Sequence, residues 1–295
     1  MDAPIVSTPM VKTTDDIELD LFLEAVYQRY HYDFRGYSAS SLRRRLAQAQ
    51  ERFNCSSLSM LQHRMLHEPG ILVELLNFLT IQVSEMFRDP RFFRALREEV
   101  LPHLKTYPSL KVWVAGCGDG EELYSLAILF REEGLENRTM FYATEINPSA
   151  LRRAEAGVYD MSRIPGFTAN HRASGGKSSL SDYYTAAYGA AVFDKSLRSR
   201  AVFSEHSLVS DAVFQEMHLI CCRNVFIYFD QPLQDRATGL FQDSLVHGGF
   251  LGLGTSETLR FARHAEMFRD FVADQRIYRK SGQRSAIEEA SRAYG

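Results

Sequence analysis

Apolar side chains recur at helical spacing from Ile17 to about Tyr107. Leu42, Leu46, Ala49 and Phe53 share one helix face, and Leu72, Leu75, Leu76 and Leu79 share another. No good strand run interrupts them. After Pro108 the pattern becomes an alternation of apolar strands with amphipathic helices: KVWVAGCG, ELYSLAILFREE, MFYATEI, then PSALRRAEAGVY. This alternation predicts an α/β domain with a parallel sheet. Pro102 and Pro108 frame the change and mark a linker, so the reading is a helical domain over 17–107 and an α/β domain over 108–280. The alternation pauses at Tyr159 and resumes with AVFSEHSL, MHLICCRNVFIYF and GGFLGLGTSE. The stretch between is too long for one connection. With its paired glycines and the aromatic run SDYYTAAYGAAVF, it predicts a small inserted β element over about 160–200. FRDFVADQRIYRK predicts two short strands joined by a turn at Ala273 to Gln275. Residues 1–16 read as a flexible leader and 281–295 as a loose tail.

Composition narrows the class. With 45% hydrophobic and 24% charged residues over 295 positions, the chain can bury a full core, and its length suits two domains. A net charge of -3 argues against a dedicated nucleic-acid binder. No apolar run approaches the roughly 18 residues of a membrane span, so no membrane insertion is expected. Cys55, Cys117, Cys221 and Cys222 form neither a disulfide framework nor a zinc spacing, which suits a reducing cytoplasm. The histidines are scattered; His63 and His67 sit at i, i+4 without a third ligand, and no metal is expected.

Chemistry first shows in VWVAGCGDGEELYSLA, which places Gly116, Gly118 and Gly120 between a strand and a helix. Such a turn lets the backbone approach a ligand closely. The spacing is GxGxG rather than GxGxxG, and Glu121 and Glu122 would repel a pyrophosphate, so a dinucleotide is disfavoured. A phosphate-free donor with a cationic end fits better, and S-adenosylmethionine is one. Glu145, after the next strand, can accept hydrogen bonds from both ribose hydroxyls. The same residues allow a plainer reading, in which Glu121 and Glu122 favour the helix dipole and Glu145 is an exposed strand end.

Five blocks in order, LTIQVSEMFRDPRFF, VWVAGCGDGEELYSLAI, ATEINPSALRRAEAGVY, VFSEHSL and LICCRNVFIYFDQPLQ, resemble the CheR chemotaxis receptor glutamate methyltransferases. The resemblance covers nearly all of 17–280. It implies a class I S-adenosylmethionine-dependent methyltransferase (Rossmann-like) sheet with a helical N-terminal domain and a small inserted antiparallel β subdomain. It implies methylation of glutamate side chains on chemoreceptor cytoplasmic helices, with S-adenosylhomocysteine as product. By position, it assigns Gln82, Ser84 and Arg88 to cofactor and substrate binding, and Gly116 to the glycine turn. Glu121 falls at the donor's amino-acid end, Glu145 at the ribose, and His206-Ser207-Leu208 beside the adenine. Asn224 and Tyr228 fall at the donor and the reacting methyl group. Several residues depart from the family's usual ones: Gln82 for Asn, Ser84 for Thr, Glu145 for Asp, Ser207 for Asn, and Gly118-Asp119 for Ser-Thr. The extra methylene of Gln82 and Glu145 displaces each polar tip by roughly one bond length.

The implied reaction needs no general base, because a glutamate with a reference pKa of about 4.3 is already ionised at neutral pH. Arg88 would grip one carboxylate oxygen and Tyr228 would fix the angle of attack. The plainer alternatives are an ion pair of Arg88 with Glu85 or Asp89, and a core role for Tyr228. In LRRRLAQAQERF, Arg45 and Arg52 lie on one helix face with Arg43 and Arg44 to its sides. This basic cluster either steers an acidic chemoreceptor, or a receptor-like signalling protein, or is a solvated face. The aromatic insert is either a docking surface or packing. Two other functions fit the same residues: a catalytically weak S-adenosylmethionine-binding scaffold, and a class I methyltransferase with a small-molecule acceptor.

Overall fold

The structure, a computed structural model, describes residues 12–81 and 84–281, and the chain divides into two compact units at Leu79 and Thr80. The first unit holds four helices: α1 (Thr14–Tyr30), α2 (Ala39–Phe53), α3 (Leu58–His67) and α4 (Ile71–Leu79). Their core includes Phe22, Val26, Phe34, Leu46, Leu61 and Met65. Leu42, Ala49 and Phe53 are buried with them, as the periodicity predicts, and so are Leu75, Leu76 and Leu79. The expected leader is shortened: Thr13 caps α1, its side chain accepting from Asp16 N while the Asp16 carboxylate accepts from Thr13 N. This reciprocal box satisfies two backbone donors and starts the helix at Thr14. Residues 1–11 and the tail from 282 lie outside the described residues.

The boundary falls before 107. Helices α5 (Pro90–Ala95) and α6 (Leu101–Leu104), joined by a π turn at Leu96–Val100, belong to the second unit. Phe92, Phe93, Leu96, Val100, Leu101 and Leu104 are buried in one cluster with Val112, Val114, Leu219 and Phe250. Helical periodicity shows that a face is buried, but not which core covers it.

The second unit continues with β1 (Leu110–Ala115), α7 (Glu121–Glu132), β2 (Thr139–Glu145), α8 (Pro148–Ala156), β3 (Val158–Asp160) and α9 (Ile164–Ala173). There follow β4 (Tyr184–Ala187), β5 (Ala190–Phe193), β6 (Ala201–Glu205), β7 (Met217–Cys222), α10 (Gln231–Ser244), β8 (Leu245–Leu253), β9 (Phe268–Val272) and β10 (Ile277–Lys280). Seven strands form one sheet in the order β6-β2-β1-β7-β8-β10-β9. The first five are parallel, and β10 runs antiparallel to both its neighbours. A single turn of 3-10 helix, Ala273–Gln275, links β9 to β10 where the turn was expected. The order reverses between β1 and β7, so ligands belong in the crevice at the carboxyl ends of these strands.

The insert is a three-stranded antiparallel sheet, β3-β5-β4, whose hairpin turns at Tyr188 and Gly189 with positive φ at both. It also contains α9, which the β reading of 160–200 missed. Ile164, Phe167 and His171 bury one face of that helix. Most of the insert's aromatics serve packing: Tyr159, Tyr183 and Phe193 are buried, whereas Tyr188 is fully exposed at the hairpin tip. No helix among the described residues is long and apolar enough to cross a membrane.

A buried ionic cluster locks the far end of α7. Arg97 forks between Glu132 and Glu133 at 2.6 and 2.7 Å, His171 Nε2 lies 2.9 Å from Glu132, and Lys105 and Lys177 complete Glu133. Burial alone would raise both carboxyls, but the bonds from His171 and Arg97 to Glu132, and from Lys177, Lys105 and Arg97 to Glu133, hold each at about 2. Depressed carboxylates contribute stability that is present above the unfolded pKa of about 4.3 and lost as pH falls through the folded value. Acid titration followed by tryptophan fluorescence is therefore expected to show stability falling steadily from about pH 4.5 towards pH 2. Arg97→Met should cost about 3 kcal/mol in urea unfolding at pH 7, because two buried carboxylates lose their shared cation.

Candidate functional site

Strand β1 ends in the glycine turn, where Gly116, Gly118 and Gly120 have φ of 74°, 54° and 95°. Gly116 N and Cys117 N both donate to Thr144 O at 2.9 Å, tying the turn to the end of β2. Neighbouring chain explains two of the glycines. A Cβ on Gly116 would lie 2.8 Å from Val225 Cγ2, and one on Gly120 would lie 2.9 Å from Ala154 on α8. The pattern thus reflects close backbone packing as well as room for a ligand.

The acidic residues around this turn are buried and differently satisfied. Glu145 Oε2 accepts from Gly118 N, and Oε1 accepts from Ile146 N and Asn147 N, all at 3.0 Å. It is 6% exposed, so it is not an exposed strand end. Burial pushes its carboxyl up while the three backbone donors pull it down. About one of its four acceptor positions stays open, on Oε2, which suits one ribose hydroxyl rather than two. Asn147 shapes the same corner: its Oδ1 caps α8, and its Nδ2 donates to Thr80 Oγ1 at 3.0 Å.

Glu121 opens α7 and has no exposed surface. Its Oε1 accepts from Arg163 Nη2 at 2.7 Å, but its buried Oε2 has no partner. Burial raises its carboxyl, against the pull of its own backbone N–H and of Arg163. A buried carboxylate oxygen left unpaired is costly, and an ammonium group supplied by a ligand would complete it. The residues present therefore fit a donor with a cationic amino-acid end. Glu122 faces elsewhere, with Oε2 3.2 Å from Arg223 Nη1.

At the end of β7, Arg223 is almost fully buried and lies 4.1 Å over the ring of Phe92. Its Nη2 donates to Asp89 Oδ2 at 2.8 Å and to Arg88 O at 3.1 Å. It thereby anchors a turn in which two non-glycine residues, Phe87 and Asp89, have φ of 52° and 56°. Such strain persists only where surroundings over-determine it. Here Ser125 Oγ accepts from Phe87 N, Asn170 Nδ2 donates to Met86 O, and Arg163 donates to Ser84 O. Asp89 Oδ2 pairs with Arg223 and Glu85 Oε2 accepts from Asn170. The charge of Arg88 also helps restrain the rise of the Glu122 carboxyl, behind burial and Arg223.

Asn224, with φ of 60°, turns the chain towards Tyr228, which ends a half-buried single-turn helix. Glu257 clamps this turn. Its Oε2 accepts from Asn224 N at 2.9 Å and from Gly254 N, while Oε1 accepts from Ile227 N at 3.3 Å. After β6, the His206 ring packs edge-on against Trp113 at 5.3 Å, Ser207 Oγ accepts from Val209 N, and Leu208 is buried.

The fold therefore puts Gly116, Glu121, Glu145, Ser207, Leu208, Asn224 and Tyr228 at or after the carboxyl ends of the parallel strands β1, β2, β6 and β7, with the Ser84–Asp89 turn bonded to them through Arg163 and Arg223. Gln82 lies outside the described residues. Arg163, Glu257 and Asn147 were missed by sequence reasoning. The Asn-Pro pair at 147–148 was a readable helix start, but nothing local marks Arg163 or Glu257. In the first unit, one predicted recognition residue is corrected. Arg45 is 5% exposed, with Nε donating to Ser41 O and Nη1 to Leu79 O, so it caps the last turn of α4. Arg43 pairs with Asp16 and Arg52 with Glu74, and Arg44 is exposed.

Residues 82–277 match the family description "CheR methyltransferase, SAM binding domain", and residues 17–80 match "CheR methyltransferase, all-alpha domain". The two matches divide where the compact units do. A Pseudomonas putida relative whose name, Cher3, carries the family designation is 53% identical over 266 residues, 90% of this chain and 97% of its own. The chemotaxis protein methyltransferase of Listeria monocytogenes is 29% identical over 248 residues, 83% of this chain and 92% of its own. Chemotaxis protein methyltransferase 1 of Pseudomonas aeruginosa is 30% identical over 227 residues, 73% and 80% of the two chains. The helical unit, the mixed sheet and the small antiparallel sheet make up the class I methyltransferase architecture expected above.

The Glu257 clamp can be checked apart from any ligand. Glu257→Gln replaces one accepting oxygen by an amide donor facing a backbone N–H, and is expected to lower stability in urea by about 1–3 kcal/mol.

Proposed function

The chain belongs to the CheR methyltransferase family, and on that premise we propose that it methylates glutamate side chains on chemoreceptor cytoplasmic helices. The observation that carries the reading is the unpaired buried oxygen of Glu121, at the start of α7 directly after the glycine turn. When bound, S-adenosylmethionine supplies an electrophilic methyl group on a sulfonium and leaves as S-adenosylhomocysteine.

Each residue then has a task. Glu121 Oε2 takes the ammonium of the donor, and Glu145 Oε2 takes a ribose hydroxyl. Leu208 walls the adenine with Ser207 beside it, while Gln82, Ser84, Gly116 and Asn224 line the donor. Arg88 holds one oxygen of the acceptor carboxylate in a charge-assisted bond, leaving the other to attack in line. Tyr228 gives its hydroxyl to the acceptor and sets the angle. The acceptor is already ionised at neutral pH, so no side chain has to remove a proton. Opposite charges vanish as the bond forms, and exclusion of water from the crevice favours that step. Arg44, with the surface-paired Arg43 and Arg52, offers an acidic receptor helix a basic docking face, and such a receptor segment places the enzyme in the cytoplasm. Four buried, free cysteines suit that reducing compartment.

The test is incubation with methyl-labelled donor and receptor cytoplasmic fragments, followed by peptide mapping. Base-labile label on glutamates is expected. Donor binding by calorimetry without transfer would favour the scaffold reading, and label only on a small molecule would overturn the receptor substrate. Arg88→Ala should lower turnover by roughly a hundredfold and Tyr228→Phe by roughly tenfold, with a smaller change in S-adenosylhomocysteine affinity. Unchanged turnover in both would remove them from the reaction.

A further inference from the structure

Two polar contacts join the inserted sheet to the glycine turn, and the reaction described above uses neither. Tyr159 on β3 is buried, and its hydroxyl donates to Asp119 O at 2.9 Å. Four residues on, Arg163 ends a short 3-10 turn and reaches back across the ring of Phe167, 4.8 Å from its centre. The guanidinium is at the edge of the crevice, with 34% of the side chain exposed, whereas Glu121 beside it is wholly buried. A single nitrogen, Nη2, donates both to Glu121 Oε1 and to the carbonyl of Ser84.

Resting on the proposed role of Glu121, we infer that Arg163 is a positioning residue for the donor site. It occupies Glu121 Oε1, leaves Oε2 for the ligand, and makes the inserted sheet part of the donor pocket.

The argument is one of freedom and charge. Glu121 is pulled towards its neutral form by burial, and Arg163 is the only cation bonded to it among the described residues. Without that bond the carboxyl would gain rotamers and lose attraction for an ammonium group. Arg163 also holds the backbone of Ser84, so the same side chain sets the start of the turn that carries Arg88. Because Arg163 is borne by the insert, order in residues 158–163 and donor binding are thermodynamically linked. Whatever one adds to the other is returned in equal measure.

The test uses the full chain and S-adenosylhomocysteine. Arg163→Gln is expected to raise its calorimetric Kd about tenfold, equivalent to about 1.4 kcal/mol. Arg163→Lys, which keeps the charge but not the fork, should raise it less. The KM for the donor should rise with kcat changed less, while the thermal midpoint of the ligand-free protein moves little. Backbone amides of 158–163 should exchange more slowly when the ligand is added to the natural chain. In a double-mutant cycle, Glu121→Gln and Arg163→Gln should be strongly non-additive. If Arg163→Gln does not fold, Arg163→Lys is read alone, and a Kd equal to that of the natural chain overturns the inference. A lowered thermal midpoint with unchanged Kd also overturns it, since the contact would then be structural. Failure of the natural chain to bind S-adenosylhomocysteine would instead overturn the reading of the donor site itself.

Discussion

Burial of negative charge at the carboxyl edge of the sheet is the constraint on which the rest of this molecule turns. Glu121, Glu145 and Glu257 are each at most 6% exposed, and burial pushes the carboxyls of Glu121 and Glu145 up. The compensation differs in kind. Glu145 and Glu257 each accept three backbone N–H groups and so act as clamps between strand ends. Glu122 leans on Arg223. Glu121 and Glu122 each keep one oxygen matched to an arginine and the other without a hydrogen-bond partner, and it is the free oxygen of Glu121 to which the proposed donor ammonium is assigned.

The same arrangement explains how strain can be kept beside the site. The turn from Ser84 to Asp89 puts a buried phenylalanine and an aspartate in the left-handed region, which no local propensity favours. It survives because donors and acceptors converge on it from α7, from α9 and from the end of β7. Arg223 does the largest share, binding the Arg88 carbonyl, the Asp89 carboxylate and Glu122 at once. The backbone of Arg88 is therefore held by a buried arginine from the end of β7. Architecture and proposed chemistry are hard to separate here: the network that stabilises the sheet end also holds the turn that carries Arg88.

The inserted sheet belongs to this network. Its first strand contributes Tyr159 under the glycine turn, and the turn that follows brings Arg163 to Glu121. What periodicity describes as an appendage thus packs against the glycine turn and the start of α7, while its hairpin tip at Tyr188 is exposed.

Much was legible from the chain alone. The strand-glycine-helix turn, the sheet domain and the final strand pair follow from short-range pattern, because alternation, turn residues and caps act over a few positions. Three things depended on the tertiary structure. The helices of 90–104 join the second core, since periodicity names a buried face but not its cover. Arg45 leaves the basic cluster for the end of α4, since charge alone does not say whether a side chain meets solvent or an unpaired carbonyl. Arg163 and Glu257 reach the site across 42 and 33 residues of chain from Glu121 and Asn224. Contacts at such separation leave no local periodicity, so only folding could reveal them.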